Sequence, residues 1–392
     1  MKVRALHLCT SVAWGGLELY ACTLMAELVR SGIDVTAVCA PGSKAEAFLK
    51  EQGIEVLHFP NSLLVSPSAV RFLRRIIRDR RIDAVHVHFH RDIWPASLAL
   101  RGDGDRTLVL GIYLGVPPKR DPLHRMIFSR VDAFVTSSVD LNRRLPDLYA
   151  VPPSRVYFVP YGRDLRRYTR DEARRASLRA MVGAGDSEIM VGTMVRIDPG
   201  KGVMDFAESY AYIEPGLRPG VRYLIAGEPT RKGTARPGSS PFEEHCEAYL
   251  RDIEAYIAAQ EFRGRISLVG YQEDLIGALS AMDIFVFPSR DELFSLVVLD
   301  AMGMGLPVIA AAAGGNLAQI EDGVTGLLYR VADSRDLAGK LLMYLKDPSL
   351  RLRHGRSARA AVERTHSMDT TIDRLLEIYS LRRPQPVPLH PA

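Results

Sequence analysis

The chain has 392 residues, 47% of them hydrophobic and 25% charged, with a formal net charge of +5. That length suits two domains, and the composition excludes a fibrous or wholly disordered chain. Four cysteines without a CxxC pair exclude a disulfide scaffold and a zinc finger, and no apolar run reaches the roughly 18 residues of a membrane-spanning helix.

The opening "MKVRALHLCTSVAWGG" sets Lys2 and Arg4 ahead of an apolar stretch, but it lacks a signal-peptide cleavage pattern. Its alternation predicts a buried strand, and with the free cysteines it points to a reducing cytoplasm. Further strands are predicted at 34–40, 55–59, 83–89, 107–113 and 132–138, with a helix over 17–32 closed by Gly32. The pattern restarts with strands at 187–195, 221–227, 265–270, 283–289, 306–312 and 325–330. Short apolar runs alternating with helical periods define parallel sheets covered on both faces.

The fold class expected is therefore α/β, with two Rossmann-like, doubly wound domains over 1–165 and 186–366. Such folds bind ligands at the carboxyl ends of their strands. The charged segment between them reads as the domain junction. A helix over 367–383 is expected to return to the first domain, ahead of a Pro-rich, disordered tail over 384–392. Residues 228–245, rich in Gly, Pro and Ser, read as a surface loop. Two arginine-dense stretches, 71–81 and 162–179, read as solvated helix faces or as contacts to an anionic membrane surface.

Several patterns carry chemistry. Gly15 and Gly16 lie where the first strand meets the first helix, a position that lets a backbone approach an anion. "MVRIDPGKG" (194–202) puts Arg196 and Lys201 on a loop after a strand, where two cations can converge on one phosphate. "DELFSLVVLDAMGMGLP" (291–307) brackets an apolar run with Glu292 and Asp300. Ser295 is a good N-cap, which puts Glu292 in the loop ahead of a helix and Asp300 inside it. Carboxylates accept hydroxyl hydrogen bonds and loop amides at Phe294, Ser295 and Leu296 suit anionic or sugar oxygens; together they describe a nucleotide-sugar site. "HVHFHRDIW" (86–94) sets His86, His88 and His90 at alternate positions; imidazoles on one strand face can share a metal ion, but no Asp, Glu or Cys cluster accompanies them. "GDGD" (102–105) contains a DxD triplet, in a Gly-rich link that reads as a turn.

These motifs, in this order, resemble the retaining glycosyltransferases of family 4 (group 1), which have the GT-B fold. The 289–310 stretch resembles their carboxylate-x7-carboxylate motif, 194–202 their phosphate-clamp loop, 14–20 their N-terminal glycine loop and 156–164 the segment leading to their interdomain junction. The resemblance implies that Glu292 contacts the donor sugar, Asp300 the ribose, and Arg196 and Lys201 the diphosphate. It also implies that Gly16 gives the phosphates room, that Tyr271 flanks the base, and that His88, with His90 next, lies on the acceptor side. His86 is expected as a hydrogen-bonded core residue. Two departures stand out: Asp300 replaces the usual Glu, and Leu293 the usual Gly.

The expected activity is retaining, metal-independent transfer of a hexose from a UDP-sugar, with a GDP-sugar next, to a hydroxyl of a glycan or lipid-linked acceptor. No cofactor and no nucleic-acid partner are expected. Envelope polysaccharide or lipopolysaccharide synthesis, at the inner face of the cytoplasmic membrane, would follow. Alternatives are a nucleotide-sugar epimerase of the same fold and a catalytically inactive nucleotide-sugar-binding protein.

Overall fold

The computed structural model describes residues 3–60, 66–113, 115, 117–232 and 240–381. The chain divides into two compact units, Met1–Gly162 with Met368–Ala392, and Arg163–Ser367. The expected disordered tail falls outside the described residues.

The first unit is built on seven strands: β1 (Arg4–Cys9), β2 (Asp34–Cys39), β3 (Val56–His58), β4 (Ala84–Val87), β5 (Thr107–Ile112), β6 (Ala133–Thr136) and β7 (Val156–Phe158). All pairings are parallel, in the order β3-β2-β1-β4-β5-β6-β7. The central strands are buried along their whole length, which is why they read as continuous apolar runs. β7 escaped the sequence pattern because it is three residues long and half-buried at the sheet edge.

The second unit holds β8 (Ile189–Met194), β9 (Val221–Ala226), β10 (Ile266–Leu268), β11 (Ile284–Phe287), β12 (Val308–Ala311) and β13 (Gly326–Tyr329). These are also all parallel, in the order β10-β9-β8-β11-β12-β13. In both sheets the order reverses beside the first strand, the topological switch point of a doubly wound fold.

The domain junction differs from the sequence reading, and the return of the last helix agrees with it. The stretch 163–185 is no linker: it belongs to the second unit, and its helix Glu172–Met181 packs there. The cause is charge. Arg175 and Arg179 both donate to Asp283 at the foot of β11, and Arg179, 2% exposed, also donates to the carbonyls of Ala281, Gly185 and Glu188. Each arginine of 162–179 pairs with an acid of the same unit, while Arg166, Arg167 and Arg174 stay more than half exposed to solvent. The last helix, Met368–Tyr379, packs on the first unit. Thr371 and Arg374 donate to the carbonyls of Pro160 and Phe158, and Thr107 donates to those of Tyr379 and Leu381.

Candidate functional site

In the second unit the loop after β8 and the loop after β11 are stitched together. Arg290 N–H donates to the Gly200 carbonyl at 3.0 Å, and the Arg290 guanidinium holds Asp205 at 2.7 and 3.1 Å. Gly202 turns at φ +66°, and a Cβ there would lie 2.2 Å from the Pro288 carbonyl oxygen, so only glycine lets the loops meet. The turn delivers Lys201 Nζ to Glu292 Oε2 at 2.8 Å, with Ser289 Oγ at 3.4 Å. Both side chains keep partial exposure, 19% and 24%. Arg196 is exposed and has no side-chain partner among the described residues. Thus the cation loop and the first carboxylate, read separately from the sequence, form one cluster at the carboxyl ends of adjacent strands.

Glu292 is held from behind by residues the sequence reading missed. Gly315 N–H donates to the Glu292 carbonyl at 2.6 Å, and a Cβ on Gly314 would lie 2.2 Å from the same oxygen. "GG" at 314–315, after a strand, was the available signal. The helix begins at Leu296 with Ser295 as its N-cap, Ser295 Oγ accepting from Val298 N–H at 3.3 Å. One expectation fails here. The Ser295 N–H, assigned to a ligand, instead donates to Gln319 Oε1 at 2.7 Å, while Gln319 Nε2 donates back to the Ser295 carbonyl. Phe294 lies 5.5 Å, ring to ring, from His366.

Asp300 sits inside that helix, 4% exposed. Its carboxylate accepts from Arg163 and from the Tyr168 hydroxyl at 2.7 Å. Burial, followed by the Asp300 charge, pushes the Tyr168 hydroxyl's pKa up, so it stays a donor. The carboxylate assigned to a ribose is therefore already engaged by two protein groups. Tyr271, just past β10, leaves its ring 53% exposed.

In the first unit Gly15 precedes the helix Gly16–Arg30, and the Glu18 carboxylate accepts from the Gly15 N–H at 3.0 Å. Both glycines are exposed and neither has a positive φ, so the turn itself does not require them.

His88 follows β4, as expected, but only 2% of it is exposed. His7 and His86 are register partners on β1 and β4 and face the same side of the sheet as His88. A chain of contacts runs from Tyr113 OH to His86 Nε2 (3.4 Å), His86 Nδ1 to Tyr379 OH (2.7 Å), Tyr379 OH to His7 Nε2 (3.4 Å) and His7 Nδ1 to His88 Nε2 (2.9 Å). Burial depresses the pKa of all three imidazoles, that of His88 to about 3, so each carries one proton at neutral pH. Five neutral groups supply five protons to four links, and the spare hydrogen-bonding position at one end is His88 Nδ1, which has no partner among the described residues. The His7–His86–His88 group is a poor metal site. His86 and His88 stack at 4.2 Å and 25°, so their in-plane lone pairs run side by side instead of converging.

His90 lies beyond the strand in a 3-10 turn, half-buried, with its pKa lowered to about 4 by desolvation. The expected His86–His90 face is thus broken by the turn, and His7 takes the third place. The GDGD segment is a turn, with Asp105 N–H donating to Asp103 Oδ1 at 3.1 Å.

Two parallel-sheet α/β units, with Lys201 and Glu292 meeting at the strand ends of the second, are the architecture of a GT-B glycosyltransferase. Comparison with known proteins agrees. The glycosyl transferases group 1 family matches residues 175–361 and the glycosyltransferase family 4 description matches residues 14–167. Between them the two descriptions cover most of the chain, which is a glycosyltransferase. It is 28% identical to the D-inositol 3-phosphate glycosyltransferase of Nocardia farcinica, over 93% of this chain and 84% of that protein. It is 27% identical to that of Mycobacterium tuberculosis, over 93% and 78%. Among solved structures, Anabaena HepE in complex with UDP superimposes with a TM-score of 0.80 at 19% identity, over 96% of this chain and all of that one. A Rickettsia africae glycosyltransferase gives 0.81 at 18%, over 96% and 98%. No helix among the described residues is long and apolar enough to cross a membrane.

Proposed function

We propose that the protein transfers a hexose from a nucleoside diphosphate sugar, UDP before GDP, to a hydroxyl acceptor with retention at the anomeric carbon and without a catalytic metal. The observation that carries this reading is the meeting of Lys201, Glu292 and Ser289 on the loops after β8 and β11, with Arg196 exposed on the same loop as Lys201. Lys201 and Arg196 take the diphosphate, and Glu292, released from Lys201 as the phosphates arrive, accepts from donor-sugar hydroxyls. The C1–O bond to the diphosphate breaks, a C1–O bond to the acceptor forms on the same face, and the hydroxyl proton passes to a leaving phosphate oxygen. Cations already fixed at the leaving group stabilise the charge it gains, which is the largest share of catalysis in such steps.

Asp300 meets the ribose with the lone pairs that Arg163 and Tyr168 leave. Tyr271 stacks on the base, Leu296 N–H at the helix start faces the phosphates, and Gly15 and Gly16 give them backbone room. The UDP complex of HepE supports the choice of base. The names of the curated relatives support a polyol or phosphorylated polyol acceptor alongside a glycan or lipid-linked one. Membrane contact, if present, falls to Arg71 and Arg75 on the helix Pro67–Asp79, which are exposed and without partners among the described residues. Incubation with UDP- and GDP-hexoses in EDTA, with NMR of the product's anomeric proton, tests the proposal. A product of unchanged anomeric configuration supports it; an inverted product, or turnover only with a divalent metal, overturns it.

A further inference from the structure

At the start of the Pro199–Lys201 turn, three side chains of different chemistry converge. Cys246 Sγ, fully buried in the first turn of the helix Glu244–Ala258, lies 3.3 Å from His245 Nε2 and 3.6 Å from Asp198 Oδ2. The three ligand atoms lie within 4.8 Å of one another. A tetrahedral ion with metal–sulfur bonds of about 2.3 Å and metal–nitrogen or –oxygen bonds of about 2.0 Å separates such atoms by roughly 3.3–3.5 Å, so small movements suffice. Thiolate, imidazole and carboxylate together are the donor set of a borderline-soft divalent ion.

The surroundings favour the same reading. Glu243 Oε2 stands 3.6 Å from His245 Nδ1, a carboxylate placed to receive the Nδ1 proton once Nε2 binds an ion. Asp198 Oδ1 accepts from Gly200 N–H at 2.9 Å, which keeps Oδ2 turned to Cys246. His245 is exposed, so water can fill a fourth position.

We propose that Asp198, His245 and Cys246 form a site for a thiophilic divalent cation of the zinc class, a structural ion that ties the Lys201 turn to the start of this helix. The ion would touch no residue assigned to donor or acceptor, and the proposal does not rest on the transfer reaction. The test is titration of the full chain, reduced and stripped of metal, with Co²⁺. One equivalent should raise a thiolate-to-cobalt charge-transfer band with the visible bands of a tetrahedral ion, and Zn²⁺ should bleach both. Cys246→Ser should abolish the band, which separates this thiol from Cys9, Cys22 and Cys39. His245→Gln, an exposed change that cannot unfold the chain, should weaken Co²⁺ binding at least tenfold. No band in the wild type, an equal band in Cys246→Ser, or unchanged affinity in His245→Gln would overturn the proposal.

Discussion

The two units solve the same problem, polar groups inside an α/β sheet sandwich, with a different balance of chemistry. The first, beside one buried ion pair of Arg130 with Asp132, buries a neutral network: three imidazoles and two phenols share protons along one chain beside β1 and β4. The second buries charges in pairs, Arg179 with Asp283, Arg163 with Asp300, and, half-open, Lys201 with Glu292. Neutral groups carry little desolvation cost but depend on pH; ion pairs cost more to bury and fail hard when one partner is removed. In the second unit Lys201 is held against Glu292 at the strand ends.

That comparison can be broken in graded ways. The largest effect should follow Arg179→Ala, which strips the buried cation from Asp283 and three carbonyls; about 3 kcal/mol of stability should go, read as a shift in urea midpoint. Lys201→Ala should leave the fold intact and lower turnover by roughly 10²–10³, since it removes a cation at the leaving group. Acid should discriminate between the units. His7, His86 and His88 stay neutral in the fold, so below their ordinary value of 6.5 the unfolded chain takes protons that the native state refuses. Stability is then full above 6.5 and falls as pH drops toward the folded values, by up to about 1.4 kcal/mol per pH unit for each imidazole. The second unit has His366, lowered to about 4, and His354, shifted less far. Hydrogen exchange from pH 7 to 5 should therefore show β1 and β4 losing protection before β8 and β11. The smallest effect should be Tyr379→Phe, which cuts the chain at its middle for about 1–2 kcal/mol and alters the imidazole tautomers seen by nitrogen NMR.

The strands of both sheets were legible because their periodicity is local, and so were the Ser295 cap and the GDGD turn. What was not legible was pairing. Lys201 and Glu292 are 91 positions apart, and nothing in either loop says that they touch. The same holds for Arg163 with Asp300, where a stretch read as basic surface closes on a carboxylate read as a ribose ligand. Ser295 N–H was misassigned because Gln319, its partner, lies in a helix of four residues with no pattern of its own. His7 could have been found: it sits mid-strand like His86, and doubly wound sheets place the first strand beside the fourth.

The central claim, that Arg196 and Lys201 clamp a diphosphate without a metal, is tested most directly by calorimetry of UDP, GDP and ADP in excess EDTA, on wild type and Arg196→Ala. The account predicts metal-free binding of one nucleotide, UDP first, weakened at least tenfold in the variant. Binding that needs a divalent cation, or that Arg196→Ala leaves unchanged, would contradict it.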